Sequence, residues 1–229
     1  REQLAAVGQL AAGIAHELRN PLTAMKLMAQ AAARRPGEAD LRGRNLAVLT
    51  EEIDRLERTI QAFLDFARPP RTDARPFAAD AVVRETLHLT AARAETQRTR
   101  VAPDVPGEAV VLVADPVQFR QLVLNLVLNA LDAVGRGGAV DVRLSADPAG
   151  WVVLEVADTG PGIPAALGDR IFDPFVSTKE TGTGLGLSIC KRAAEAHGGT
   201  IGAANRPGGG AVFTVRLPPP GPRSGGPVE

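Results

Sequence analysis

His16 is followed directly by Glu17 and, four residues on, by Asn20, so one titratable ring has a carboxylate and an amide beside it on a segment with helical periodicity. Apolar residues recur at Leu4, Val7, Ala11, Ile14, Leu18, Leu22, Met25 and Met28, mostly in steps of three and four, the seam of a helix packed in a bundle. His16 lies off that seam, on the outermost position of the heptad, where it faces solvent and fills no core. An exposed imidazole of this kind takes up and releases protons near neutral pH and can act as a nucleophile. Pro21 lacks a backbone donor and its ring clashes with the carbonyl of Glu17, so a kink is expected just past the histidine.

A second group of residues suits a nucleotide. Asn125 and Asn129 share one face of a helix otherwise built from Phe119, Leu122, Val123, Leu126, Val127, Ala130 and Leu131. Their carbonyl oxygens are hard ligands suited to Mg²⁺ held together with phosphates, although the pair serves equally well as amides bonded to neighbouring backbone. Asp158-Thr159-Gly160-Pro161-Gly162-Ile163 follows an apolar strand. A carboxylate at a strand end can accept a hydrogen bond from the exocyclic amine of adenine, and the glycines let a flat base approach the backbone; alone, Asp-x-Gly is most often only a turn. Gly182-Thr183-Gly184-Leu185-Gly186-Leu187 runs into a helix start, where glycine amides and the helix N-terminus form a phosphate site. It is neither a Walker loop nor a dinucleotide fingerprint. Between these segments, Ile171 to Phe175 adds an apolar anchor, and Ser177-Thr178-Lys179 adds an ammonium that, taken singly, is a solvated surface lysine.

The elements that must position these groups divide the chain in two. Leu46, Leu49, Ile53, Leu56, Ile60 and Phe63 form a second helical seam, and Pro36-Gly37 separates it from the first. Residues 1–70 therefore read as an antiparallel helical hairpin. Two helices cannot enclose a core, so two hairpins are expected to pair as a four-helix bundle in a homodimer. Residues 71–78, entered through Pro69-Pro70, read as a linker. Residues 79–218 mix a helix from about Ala79 to Ala94, strand-like Val101, a β-branched run at 109–113, and a helix to Gly135 capped by Asp115, with Pro116 in its first turn and Gln118 at the capping-box position. Strands at 139–145 and 151–157, a helix over 187–197 stopped by Gly198, and strands at 200–204 and 211–217 complete an α/β layer of mostly antiparallel sheet. The class is α+β. Residues 219–229, rich in Pro and Gly, are expected to be a disordered tail.

Composition narrows the classes. With 229 residues, 45% apolar and 23% charged, the chain reads as globular and long enough for two packed units. Its 26 basic and 26 acidic residues balance, which argues against nucleic acid or an anionic membrane surface as the main partner. The most apolar stretch, Leu122 to Val134, carries Asn125, Asn129 and Asp132, so no direct membrane contact is expected. The one cysteine, Cys190, suits packing in a reducing, cytoplasmic setting. Arg1 lies inside a running helical pattern, so the chain is expected to derive from a longer polypeptide, with any sensor or membrane anchor upstream. His88 and His197 are assigned to surface and helix-end roles.

In their order and spacing, the pieces from His16 to Leu217 resemble a sensor histidine kinase of two-component systems: a dimerisation and phosphoacceptor hairpin followed by a GHKL-type ATP-binding domain. His16 to Leu22 resembles the H box, Asn125 to Ala133 the N box, Asp158 to Gly162 the first glycine box, Phe172 to Phe175 the F box and Gly182 to Leu187 the second glycine box. The resemblance implies that His16 is phosphorylated by ATP with Glu17 as its hydrogen-bonding partner and general base, and that Asn20 positions water for dephosphorylating a response regulator. It implies that Asn129 ligates Mg²⁺, that Asn125 lies close to the phosphates, that Asp158 binds the adenine amine, and that Gly160, Gly162, Gly182, Thr183, Gly184, Leu185 and Gly186 belong to the nucleotide site, the glycines shaping a mobile lid. The Ser-Thr-Lys run is similar to that of the nitrogen-regulation type, which gives Thr178 and Lys179 a role at the γ-phosphate. Where many relatives carry lysine this chain has Asp132, which leaves phosphate charge to Mg²⁺, Lys179 and Arg136.

Phosphoryl transfer needs in-line geometry and charge neutralisation, with a carboxylate holding the imidazole in the reactive tautomer. Glu17 fits that role, and a hinge near Pro69-Pro70 would bring His16 to the nucleotide. The phosphoryl group would then pass to an aspartate of a response regulator receiver domain. Two rivals differ in class. A GHKL ATPase of the gyrase or heat-shock chaperone kind uses a glutamate base where this chain has Asn125. A scaffold that binds nucleotide without kinase activity, or acts chiefly as a phosphatase, would have lost signature residues that are all present here.

Overall fold

A computed structural model describes residues 18, 21–31, 46–53, 56, 57, 60, 72–179 and 184–219. Two compact units divide the chain, one of Arg1–Pro69 with Pro174–Leu185 and the other of Pro70–Asp173 with Gly186–Glu229.

In the first unit, Leu18 and residues 21–31 (α1) are helical, as are 46–53 (α2) with Leu56, Glu57 and Ile60. The two apolar seams are half covered. Met25, Met28, Leu49 and Leu56 are partly buried, while Leu22, Leu46, Ile53 and Ile60 remain 54%, 53%, 46% and 44% exposed. The Pro36-Gly37 turn and the kink expected after His16 lie outside the described residues.

The second unit is built on a five-stranded sheet in the order β2-β4-β5-β7-β6, formed by Arg100–Asp104, Ala139–Ala146, Val152–Asp158, Ala211–Leu217 and Thr200–Asn205. β2 and β4 run parallel, and the other pairs are antiparallel. Burial alternates along β4, β5 and β7, so one face is apolar and the other carries Arg143, Glu155 and Arg216. The apolar face is covered by α3 (Ala79–Gln97), α4 (Pro116–Val134) and α5 (Gly186–Ala196), which pack on β2, on β4 and β5, and on β6 and β7 respectively. α4 is the central helix. Leu122, Val123, Leu126, Val127 and Leu131 are essentially inaccessible on it, and each contributes about 1.5–3 kcal/mol by leaving water.

Differences from the sequence reading have local causes. The segment expected to be linker contains β1 (Arg75–Ala78), paired antiparallel with β3 (Val111–Ala114) in a small separate sheet. Pro76 is tolerated there because a two-stranded sheet is all edge. α3 runs on to Gln97 and is stopped by Arg98 in the left-handed conformation (φ 52°), a terminus made without glycine. Asp115 caps α4 as expected, its Oδ1 accepting from the Val117 and Gln118 amides at 2.8 and 3.2 Å. The reciprocal arm of a capping box is replaced, since the Asp115 amide donates to His197 Nε2 at 2.9 Å.

Candidate functional site

β5 places a carboxylate on the wrong face for a core. Its buried register is Val152, Leu154, Val156 and Asp158, so the strand period carries Asp158 onto the helix-facing side, where the residue is 1% exposed. The cost of burying that charge is met by two backbone donors on one oxygen: the Gly160 amide at 2.8 Å and the Ala211 amide at 3.3 Å both reach Oδ1. Both bonds fall on Oδ1.

The glycines around this carboxylate are required by close approach. A Cβ on Gly160 would lie 2.8 Å from the Ala133 carbonyl oxygen, so this glycine lets the turn after β5 touch the end of α4. Gly162 has φ +80°, and a Cβ there would meet Asn205 Oδ1 at 2.7 Å. Thr159 ties the turn to β4, its amide donating to Ala139 O at 3.1 Å and its Oγ1 accepting from the Ala139 amide at 3.0 Å.

α4 presents Asn125 and Asn129, both half-buried, beside its apolar stripe. Asn125 Oδ1 accepts from Gln121 Nε2 at 3.2 Å, and its Nδ2 donates to the Gly186 carbonyl at 3.5 Å. Asn129 is held too; its Nδ2 lies 3.6 Å from where a Gly186 Cβ would stand. Thus the first residue of α5 sits beside both asparagines. Cys190, on the next turn of α5, is fully buried, and its thiol points at Leu122 O at 3.7 Å. Burial pushes that thiol up to about 12, with the Asn125 amide opposing the shift. Asp132 is bound to Arg93 of α3 in an ion pair.

In the other unit, the segment before α5 is closed on itself. The Phe175 amide donates to Gly184 O at 3.0 Å; both residues have positive φ, 64° each, and a Cβ on Gly184 would lie 2.5 Å from the Phe175 carbonyl carbon. Phe175 is therefore a non-glycine residue in the left-handed region, an arrangement that persists only when neighbours enforce it. Ser177 Oγ accepts from the Lys179 amide at 3.0 Å, forming a small turn that contains Thr178. Ile171 and Phe172, by contrast, are buried in the core of the α/β unit in a 3₁₀ turn, Gly168–Phe172.

The structure thus brings together Asp158, Gly160 and Gly162 in the turn after β5, and Asn125, Asn129 and Gly186 where α4 meets the start of α5. Gly184, Leu185, Thr178 and Lys179 belong to the first unit. His16, Glu17, Asn20, Gly182 and Thr183 lie outside the described residues. Three contributors had no signal in the sequence. Asn205 holds Ile163 through two hydrogen bonds, Arg206 Nη1 donates to the Asp158 carbonyl at 3.1 Å, and Gly210 presses on that same carbonyl. The Asn-Arg-Pro-Gly-Gly-Gly run reads only as a hairpin turn.

Comparison with known proteins agrees with this geometry. Residues 114–221 match the family of histidine kinase-, DNA gyrase B- and HSP90-like ATPases, and residues 6–71 match the His Kinase A (phospho-acceptor) domain. The chain is 39% identical over 219 residues to the sensor histidine kinase ZraS of Klebsiella oxytoca, covering 95% of this chain and 47% of that protein. It is 36% identical to the signal transduction histidine-protein kinase AtoS of Escherichia coli, covering 95% of this chain and 36% of that one. The chain thus spans about half the length, or less, of the curated relatives it matches. Among solved structures, the catalytic domain of histidine kinase ThkA is matched over 95% of its length and 64% of this chain, at 33% identity and a TM-score of 0.60. ThkA in complex with the response regulator protein TrrA is matched over 95% of this chain and 63% of that one, at 30% identity and a TM-score of 0.79. A phosphoacceptor match that contains His16, followed by an ATPase match that contains the carboxylate turn and both asparagines, places the chain in the sensor histidine kinase family.

Proposed function

We propose that this chain uses ATP to phosphorylate its own His16 and passes the phosphoryl group to an aspartate of a response regulator receiver domain. The observation that carries the nucleotide half is the Asp158 carboxylate, fixed through Oδ1 by the Gly160 and Ala211 amides; Oδ2 is the oxygen we assign to the 6-amino group of adenine. Gly160 and Gly162 let the base lie against the backbone, and the phosphates run toward Asn125, Asn129 and the start of α5. The relatives named sensor histidine kinases, and ThkA's complex with a response regulator, support the transfer half.

Among the described residues no three His, Cys, Asp or Glu side chains gather into a metal cage. The Asn129 side-chain carbonyl is a hard oxygen donor, and it would serve as the protein ligand of an Mg²⁺ carried in by phosphate oxygens. Bound there, Mg²⁺ would neutralise charge on the β- and γ-phosphates. The chain's own residues do the rest. Glu17 accepts a hydrogen bond from one ring nitrogen of His16 and leaves the lone pair of the other facing the γ-phosphorus. As the new N–P bond forms, the bond to the β-γ bridging oxygen breaks, ADP departs, and Glu17 stabilises the imidazolium. Thr178 and Lys179 hold γ-phosphate oxygens, Gly182 to Leu185 close over the nucleotide, and Asn20 orients water when the phosphorylated regulator is hydrolysed.

The half-covered seams of α1 and α2 support a homodimer in which a second hairpin covers Leu22, Leu46, Ile53 and Ile60. Among the described residues no helix is long and apolar enough to cross a membrane. We place this segment in the cytoplasm, where the ATP of the proposed reaction is found.

The test is incubation of the chain with γ-labelled ATP and Mg²⁺. Label is expected on the chain, lost in Asp158→Ala, and transferred when a receiver domain is added. A chain that binds ATP and takes no label contradicts the kinase reading.

A further inference from the structure

Several of the contacts that fix the Asp158 carboxylate and the loop after it come from the β6–β7 connection and the residues that flank it. Asn205, the last residue of β6, accepts from the Ile163 amide through Oδ1 at 2.6 Å and donates to the Ile163 carbonyl through Nδ2 at 2.9 Å. This one side chain satisfies both polar groups of a loop residue 42 positions away in sequence. Arg206 reaches the Asp158 carbonyl oxygen at 3.1 Å and is itself steadied by Asp141 Oδ2 at 3.8 Å. Gly210 (φ +86°) lies so close to Asp158 O that a Cβ would stand 1.9 Å from it, and Ala211 supplies one of the two donors on Asp158 Oδ1. The turn is itself closed by the Arg206 amide on Gly210 O at 2.9 Å.

Resting on the nucleotide reading above, we propose that the β6–β7 turn is the base-selectivity element of the site, with Asn205 and Arg206 as positioning residues. Neither side chain need touch nucleotide. Asp158 can distinguish a 6-amino purine from a 6-oxo purine only if Oδ2 meets the amine while the base rests on the Gly160–Ile163 backbone. Arg206 and Gly210 set the height of Asp158, and Asn205 sets that of the Gly162–Ile163 peptide. One rigid turn therefore holds both sides of the base at a fixed separation. Loosening either grip lets the carboxylate and the loop drift relative to each other, and the loss falls on the hydrogen bond that depends most on distance and angle.

The experiment measures equilibrium binding of ATP and of inosine triphosphate, which carries a 6-oxo group instead of the amine, to the whole chain and its variants. Wild type prefers ATP. Asn205→Ala and Arg206→Ala each shrink the ATP-to-inosine triphosphate affinity ratio by about 3- to 10-fold, one hydrogen bond's worth. The conservative Asn205→Asp, which keeps the acceptor for Ile163 N–H and loses the donor, falls between. The loss appears in KM for ATP rather than in kcat. Arg216→Ala is the control: Arg216 lies on β7 away from the turn, pairs with Asp147 at 3.0 Å and stacks over Trp151, so its loss lowers the melting temperature and leaves the ratio unchanged. Variants that weaken both nucleotides equally, or leave the ratio at the wild-type value, overturn the proposal while the nucleotide reading stands. A wild-type chain that does not bind ATP overturns both.

Discussion

Asp158 occupies a core-facing position on β5 that an apolar residue would fill at less cost, and two backbone amides make its charge tolerable there. Asp158→Asn keeps the size and an acceptor but removes the charge, so ATP affinity is expected to fall about 10- to 100-fold in a titration, with the circular dichroism spectrum unchanged. Cys190 makes the complementary point. Its thiol is buried and pushed from 9.0 to about 12 by desolvation, so it resists alkylation at pH 8 in the folded chain and reacts at once in urea. A raised folded value means that this group's contribution to stability is complete below pH 9.0 and declines as pH rises toward 12; Cys190→Ala should remove that alkaline slope from denaturation midpoints. Asparagines 125 and 129 could be ranked from sequence only as ligands or as structural amides. In the structure Asn125 bonds Gln121 and Gly186, which is the structural role; the place near the phosphates belongs to the proposed function.

At the scale of elements, Asp115 joins three parts of the α/β unit. Its Oδ1 caps α4, its Oδ2 accepts from the Asp73 amide ahead of β1 at 3.1 Å, and its own amide donates to His197 past the end of α5. Since Nε2 of His197 accepts, the ring proton sits on Nδ1, 2.7 Å from the Ala193 carbonyl. Burial alone would raise the Asp115 carboxyl, but amides of Asp73, Gln118 and Val117, with His197 nearby, hold it below 3.8. A depressed value contributes stability above the unfolded pKa and loses it as pH falls through the folded one. Asp115→Ala should cost about 1 kcal/mol in urea denaturation at pH 7, and Asp115→Asn should keep most of the cap but flatten the acid dependence below pH 3.8. The cap was legible because Asp-Pro-x-Gln is local. The His197 tie was not, because its partner lies 82 residues away and a histidine after a helix carries no pairing signal. β1 was hidden for a related reason: Pro76 argues against a strand unless it is known that the strand lies in a sheet without a centre.

For the whole molecule, the α+β class could be read from the sequence, since helix seams and alternating strands are local patterns; that Pro174–Leu185 groups with the helical segment could not. The β6–β7 turn's grip on Asp158 could not, because it depends on β7 pairing with β5, a non-local register that no spacing encodes. The exposed seam of the helical unit gives a prediction at this scale: Ile53→Asp should shift the chain from the proposed dimer to monomer in sedimentation, whereas Val117→Asp, at a still more exposed apolar position on α4, should not. The claim on which the rest depends is that ATP bound at the Asp158 turn serves to phosphorylate His16. The most direct test is to label the chain with γ-³²P ATP and Mg²⁺ beside His16→Gln, then expose the label to acid and alkali. Label that is acid-labile, alkali-stable and absent from His16→Gln is the predicted result. Label that survives acid, or persists in His16→Gln, would contradict the account.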